Sequence, residues 1–188
     1  MASSAAVKVL GISGSLRKGS YNTAALRAAA ELLPEGMTLD FADIAEIPLY
    51  NDDVRLQGFP PPTQKLRAQI GAADALLFAT PEYNYSMSGV LKNAIDWASR
   101  PPDSPIIGKP VGIMGAAQSL WGTARAQYHL RQCCVFLNMF PLNKPEVFIA
   151  QAANKFDAQG KLTDQGTRDF IAQLLVALRD WTRRLRQD

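Results

Sequence analysis

The chain has 188 residues, of which 47% are hydrophobic and 20% charged, the composition of a folded domain with one core; disordered, collagenous and coiled-coil architectures are excluded. Lys and Arg number 20 against 17 Asp and Glu, and the net charge of +3 is too small to mark a nucleic-acid or membrane surface, while mildly favouring anionic ligands.

Residues 1–6 are expected to be a flexible start. Val7 to Ile12 is a β-branched run ending in Gly and Ser, the pattern of a strand feeding a loop. From Asn22 to Leu33, the apolar residues Leu26, Ala29, Ala30 and Leu33 share one helical face, and Pro34-Glu-Gly36 ends the helix. Thr38 to Phe41 reads as a second strand, and Thr63 to Ile70 as a helix entered through Pro60-Pro-Pro62. Ala75 to Ala79 is continuously apolar, as a strand covered on both faces requires. Ser88 to Ser99 carries a helical stripe of Val90, Leu91, Ala94, Ile95 and Ala98. A fourth strand is predicted over Lys109–Met114, a long helix over Thr123–Leu137 and a fifth strand over Glu146–Ile149. The last helix is marked by Phe170, Leu174, Leu175, Leu178, Trp181 and Leu185, with Arg183, Arg184 and Arg186 at the negative end of its dipole. Those arginines read as a solvated helix end rather than a polyanion patch.

Five strands alternating with helices require crossover connections, hence an open, doubly wound α/β parallel sheet with helices on both faces. Ligands in such sheets bind beyond the carboxyl ends of the strands, so the loops after Ile12, Ala79 and Met114 are the ones to read for chemistry.

The first loop, Ser13 to Asn22, combines glycines, hydroxyls and Arg17 ahead of a helix start, a composition suited to one terminal phosphate. It is neither a Walker A loop, because Ser20-Tyr21 stands where Lys-Ser/Thr is needed, nor a dinucleotide fingerprint, because Gly11, Gly14 and Gly19 have the wrong spacing. A plain helix-capping turn has the same composition. In the second loop, Thr80 to Gly89, Tyr83 and Tyr85 offer flat surfaces and Asn84 a polar edge for a planar heterocycle, or else ordinary packing. The third, Gly115 to Thr123, is small-residued; Trp121 covers a cofactor, a subunit contact or the core. His129 reads as a surface or interface residue.

Cys133 and Cys134 are adjacent and give no disulfide framework, which points to a reducing compartment. One His and no C-x-x-C spacing offer no tetrahedral metal set. With no apolar run near the roughly 18 residues of a membrane span and no leader pattern, a cytoplasmic protein is expected.

Gly14-Ser-Leu-Arg17 with Ser20-Tyr-Asn22, then Ile47-Pro-Leu-Tyr-Asn-Asp52, Pro81-Glu-Tyr-Asn-Tyr-Ser86 and Gly89-Val-Leu-Lys-Asn-Ala-Ile-Asp-Trp97 closely resemble the NAD(P)H-dependent FMN reductase family, which includes quinone and chromate reductases and some azoreductases. The resemblance implies a flavodoxin-like three-layer fold with a five-stranded parallel sheet, a single FMN-binding domain over 1–188, NADPH or NADH as co-substrate and small-molecule electron acceptors. It also implies a homodimer or homotetramer with the flavin near a subunit boundary; the small net charge and the lack of a membrane-length apolar run predict no nucleic-acid or membrane partners. By that resemblance Ser15, Arg17, Ser20 and Asn22 hold the FMN phosphate, and Pro81, Glu82, Tyr83, Asn84 and Ser86 flank the ribityl chain and the ring. Ser119 is the candidate contact of the third loop, where Ser119-Leu-Trp-Gly122 keeps one glycine of the pair many relatives carry. The flavin would carry the chemistry, with no catalytic side chain required. The alternative readings are a flavodoxin-type electron carrier that uses no nicotinamide, and a flavin-free regulatory or scaffold protein on the same sheet.

Overall fold

A computed structural model describes residues 5–186; of the expected flexible start, residues 1–4 lie outside the described residues. The elements are β1 (Val7–Ser13), α1 (Tyr21–Glu31), β2 (Met37–Ala42), α2 (Asp52–Leu56), α3 (Pro61–Ala72), β3 (Ala75–Ala79), α4 (Gly89–Ala98), β4 (Pro110–Ala116), α5 (Ala124–Phe136), β5 (Phe140–Pro141), β6 (Val147–Ile149), a 3-10 turn at Ala152–Asn154, and α6 (Gln165–Leu185). All strand pairs are parallel, in the order β2-β1-β3-β4-β5, with β6 also on β4.

Val111 of β4 faces Leu76 of β3 on one side and Pro141 of β5 on the other, and Met114 likewise faces Ala79 and Val147 of β6. β5 and β6 are therefore successive pieces of one edge position, and the sheet has the five positions expected. The break falls between Pro141 and Pro145, because a proline has no N–H for the ladder.

The side-chain alternation of the strands divides the core in two. Val7, Val9, Ala75, Leu77 and Met114 pack with α1 and α6, while Leu10, Ile12, Leu76, Phe78 and Ile113 pack with α3, α4 and α5. The result is three layers, helices over sheet over helices. α2 is absent from the sequence reading because it buries no residue and so leaves no periodic signature; Asn51 caps it, with Asp52 and Asp53 in its first turn and Arg55 in its last. Among the described residues no helix is long and apolar enough to cross a membrane.

Strand order reverses between β1 and β3, so the loops after these strands leave the same sheet edge side by side. Gly14 N–H donates to Ala79 O at 2.8 Å and Thr80 N–H to Met114 O at 3.1 Å, carrying the ladder one step into each loop.

Candidate functional site

The loop after β1 is set by hydroxyl bonds. Ser13 Oγ lies 2.9 Å from Thr23 Oγ1 and accepts the Ser15 N–H at 3.3 Å. Ser20 caps α1, its Oγ accepting the Thr23 N–H at 3.2 Å. Gly14 is required by close approach: a Cβ there would meet Ser88 Oγ at 2.9 Å and Pro81 Cδ at 3.2 Å. The N–H groups of Tyr21 and Asn22 belong to the first turn of α1, where a helix has no internal acceptors for them and an anion can bind. Arg17 arches over this helix start, donating to Gly19 O at 2.6 Å with its guanidinium 5.5 Å from the Tyr21 ring.

Asn22 is 4% exposed. Its side-chain amide donates to Ala116 O at 3.0 Å and its carbonyl accepts the Ala116 N–H at 2.9 Å, so the side chain pins the end of β4 to the start of α1. What Asn22 offers an anion is its helix-terminal backbone N–H.

The loop after β3 closes a tight hairpin. Tyr83 N–H donates to Ser86 O and Ser86 N–H to Tyr83 O, both at 2.9 Å. Between them Asn84 and Tyr85 take φ of 49° and 69°, the left-handed pair of a type I′ turn. The conformation costs on the order of 1 to 3 kcal/mol at a non-glycine residue and persists only where its surroundings hold it. Tyr83 and Tyr85 project outward, 55% and 66% exposed. The Glu82 carboxylate turns toward α5, where it accepts the N–H groups of Arg125 and Ala126 at 3.0 and 3.1 Å and pairs with the Arg125 guanidinium. That hydrogen bond raises the Arg125 pKa further above its ordinary value. Ser86 Oγ lies 3.0 Å from His129 Nδ1.

The loop after β4 is tied down by main-chain bonds from Ala117 N–H to Ile149 O and from Gln151 N–H to Ser119 O. Ser119 Oγ donates to Gly122 O at 3.3 Å. The single glycine matters here, since Gly122 has φ +57° and a Cβ would press on Phe148. Trp121 is 70% exposed, which removes it from the core.

These loops enclose a cavity of about 180 Å³ at the carboxyl ends of β1, β3 and β4. Seven of the ten predicted residues line it: Ser15, Arg17, Ser20, Asn22, Pro81, Glu82 and Tyr83. Asn84 is at the exposed turn tip. Ser86 opens instead onto a separate, larger groove of about 670 Å³ between α4 and α5, and Ser119 is not in the wall. The sequence reading missed Tyr21, Ala116, Ala117 and Gln118. Gln118 immediately precedes Ser119, and Ala116 contributes backbone, which no side-chain signal announces. The Ile47–Asp52 segment is held against α4: Asn93 Nδ2 and Trp97 Nε1 each donate to Pro48 O at 2.8 Å, and Tyr50 N–H donates to Asn93 Oδ1.

A family model described as NADPH-dependent FMN reductase matches residues 7–154. The chain belongs to that family. A NAD(P)H-dependent FMN reductase of Pseudomonas aeruginosa is 66% identical over 180 residues, covering 96% of this chain and 97% of the relative. A quinone reductase of Escherichia coli is 45% identical over 183 residues, covering 96% and 97%. Among solved structures, the flavoenzyme NAD(P)H:(acceptor) oxidoreductase FerB of Paracoccus denitrificans superimposes with a TM-score of 0.85 at 33% identity, covering 95% of this chain and 98% of that one. For this FMN reductase family member, the cavity fits a monophosphate tail: a helix N-terminus, the Ser15 and Ser20 hydroxyls and the Arg17 guanidinium surround it.

Proposed function

We propose that the protein is an FMN-dependent NAD(P)H oxidoreductase, passing reducing equivalents from NADPH or NADH through FMN to quinones, free flavins, chromate or azo compounds. The observation that carries the reading is the convergence of two separated motifs, Ser15 to Asn22 and Pro81 to Tyr83, on one cavity at the strand-order switch point. FMN, when bound, supplies hydride acceptance and transfer.

The protein's part is binding, orientation and access. The α1 N-terminus, Ser15, Ser20 and Arg17 hold the phosphate by hydrogen bonds and charge. Pro81, Glu82, Tyr83 and Asn84 present main chain and a polar edge along the ribityl chain and ring, and Ser86, bonded to His129, braces that loop against α5. Ser119 and its loop border the ring on the β4 side. The exposed Tyr83 and Tyr85 faces form a rim suited to planar acceptors. No side chain is assigned a proton transfer.

A homodimer or homotetramer is supported by the groove between α4 and α5, beside which Val135 and Phe136 stand 80% and 85% exposed. The chain forms a single FMN-binding domain over 1–188. The free thiols of Cys133 and Cys134 favour a cytoplasmic setting.

The test is anaerobic titration of FMN-loaded protein with NADPH and NADH. Loss of the visible flavin absorbance at one equivalent, restored by a quinone, supports the reading. Inertness to both nicotinamides favours an electron carrier, although the net charge of +3 is contrary to the acidic docking surface expected of one. Protein that stays colourless with added FMN overturns the reading.

A further inference from the structure

α5 lacks a cap of its own. Thr123, which precedes it, accepts the Gln127 side-chain amide but caps no main-chain N–H of the helix start. The cap comes from Glu82, 43 positions upstream, whose carboxylate receives the Arg125 and Ala126 N–H groups and is 5% exposed. A capping residue normally belongs to the chain entering the helix. Here it belongs to the loop that carries Tyr83 and Tyr85, so the cap ties that loop to α5, whose preceding loop supplies Ala116, Ala117 and Gln118 to the cavity wall.

The join continues outward. The Arg125 guanidinium, paired with Glu82, lies over the Tyr85 ring at 3.9 Å from its centroid, and one turn later His129 contacts Ser86. α5 thus grips both flanks of the hairpin whose centre, Asn84-Tyr85, is left-handed. That strained centre needs restraint from outside itself, because a tyrosine in the left-handed region relaxes once its neighbours release it.

We propose that Glu82 is a positioning residue: with Arg125 it holds the Tyr83–Ser86 hairpin, and Tyr85 above all, at the rim of the site, and thereby sets access of the planar electron acceptor. The inference rests on the FMN reading above. The interaction is a unit of three groups. Loss of either charged member frees Tyr85, and loss of the second changes nothing more.

The experiment uses Glu82→Gln, Arg125→Met and the double variant. Glu82→Gln keeps a carbonyl oxygen for the two N–H groups and loses the ion pair, whereas Arg125→Met leaves the Glu82 cap to main-chain N–H groups intact and removes the cation above Tyr85. In FMN-loaded enzyme each single variant is expected to raise KM for 1,4-benzoquinone by about 5- to 10-fold, with kcat within about 2-fold, and the double variant to match the singles. In the apo protein, amide exchange of a peptide spanning 82–88 is expected to quicken by about tenfold in each variant. Unchanged KM, KM effects that multiply in the double variant, or unchanged exchange overturns the proposal. If Glu82→Gln fails to fold, Arg125→Met decides alone by the same two readouts. Wild-type protein that takes up no FMN overturns the functional reading and this inference with it, while wild-type holoenzyme with variants indistinguishable from it overturns this inference only.

Discussion

Asn22 and Ala116 are 94 positions apart in sequence and exchange two hydrogen bonds, one in each direction, between a buried side-chain amide and a strand main chain. This pairing fixes the first turn of α1 against the end of β4, and so fixes the helix terminus at the cavity relative to the loop after β4. Replacing Asn22 with Leu leaves a buried N–H and a buried C=O of Ala116 without partners, at a cost of about 2 to 4 kcal/mol. The melting temperature is expected to fall by roughly 5 to 15 °C in calorimetry. FMN affinity should drop as well, because the two walls part. A variant with wild-type melting and wild-type FMN affinity would refute the bracing role.

Arg17 is the one guanidinium in the wall of the cavity. If Arg17 holds the phosphate as proposed, Arg17→Ala should weaken FMN binding by on the order of 1.5 to 3 kcal/mol, while riboflavin, which has no phosphate, should bind equally to both proteins. Fluorescence titration with the two flavins checks it; equal losses for both would show that Arg17 does not face the phosphate.

Gly115 and Gly19 make opposite predictions. A Cβ on Gly115 would collide with Thr123 Oγ1 and the Thr80 carbonyl, whereas one on Gly19 meets nothing within 4 Å. Gly115→Ala is therefore expected to destabilise by on the order of 2 to 3 kcal/mol, since main chain cannot step aside. Gly19→Ala should stay within about 0.5 kcal/mol. Urea denaturation of both variants measures the contrast.

Burial pushes the Cys134 thiol up to about 12, from an ordinary value of 9.0, and raises Cys133 in the same direction. At pH 8 native Cys134 is a protonated, inaccessible thiol and should resist iodoacetamide, with labelling appearing only on unfolding. The raised value also sets a sign. The fold favours the protonated thiol, so its contribution is whole below the unfolded pKa near 9 and is lost as pH climbs toward 12. The melting-temperature gap between wild type and Cys134→Ala should narrow over that interval.

The chemical elements of this protein were legible in local sequence. Val7 to Ile12 by its β-branched run, Ala75 to Ala79 by its continuous apolar run and the stripe from Val90 to Ala98 by its helical period declare their conformation locally. The alternation of strands and helices then dictates a parallel sheet, and hence which loops meet. The Ser15–Asn22 and Pro81–Ser86 motifs carried the candidate site by residue type. α2 and the split of the fifth sheet position into β5 and β6 escaped, because five residues with no buried side chain, and strands of two and three residues, are too short for a pattern to repeat.

What each side chain does within the site was decided only by tertiary structure. The sequence shows Asn22 and Glu82 as polar residues next to a phosphate loop and a tyrosine pair. It does not show that one holds Ala116 and the other caps α5, because a hydrogen bond between positions 43 or 94 apart leaves no mark on the local pattern of either partner. Local periodicity determined the elements and the edge of the sheet where chemistry occurs, since it reflects which face of each segment avoids water. The folded chain determined which polar groups remain free for a ligand, since that depends on which distant main-chain groups would otherwise be buried unpaired.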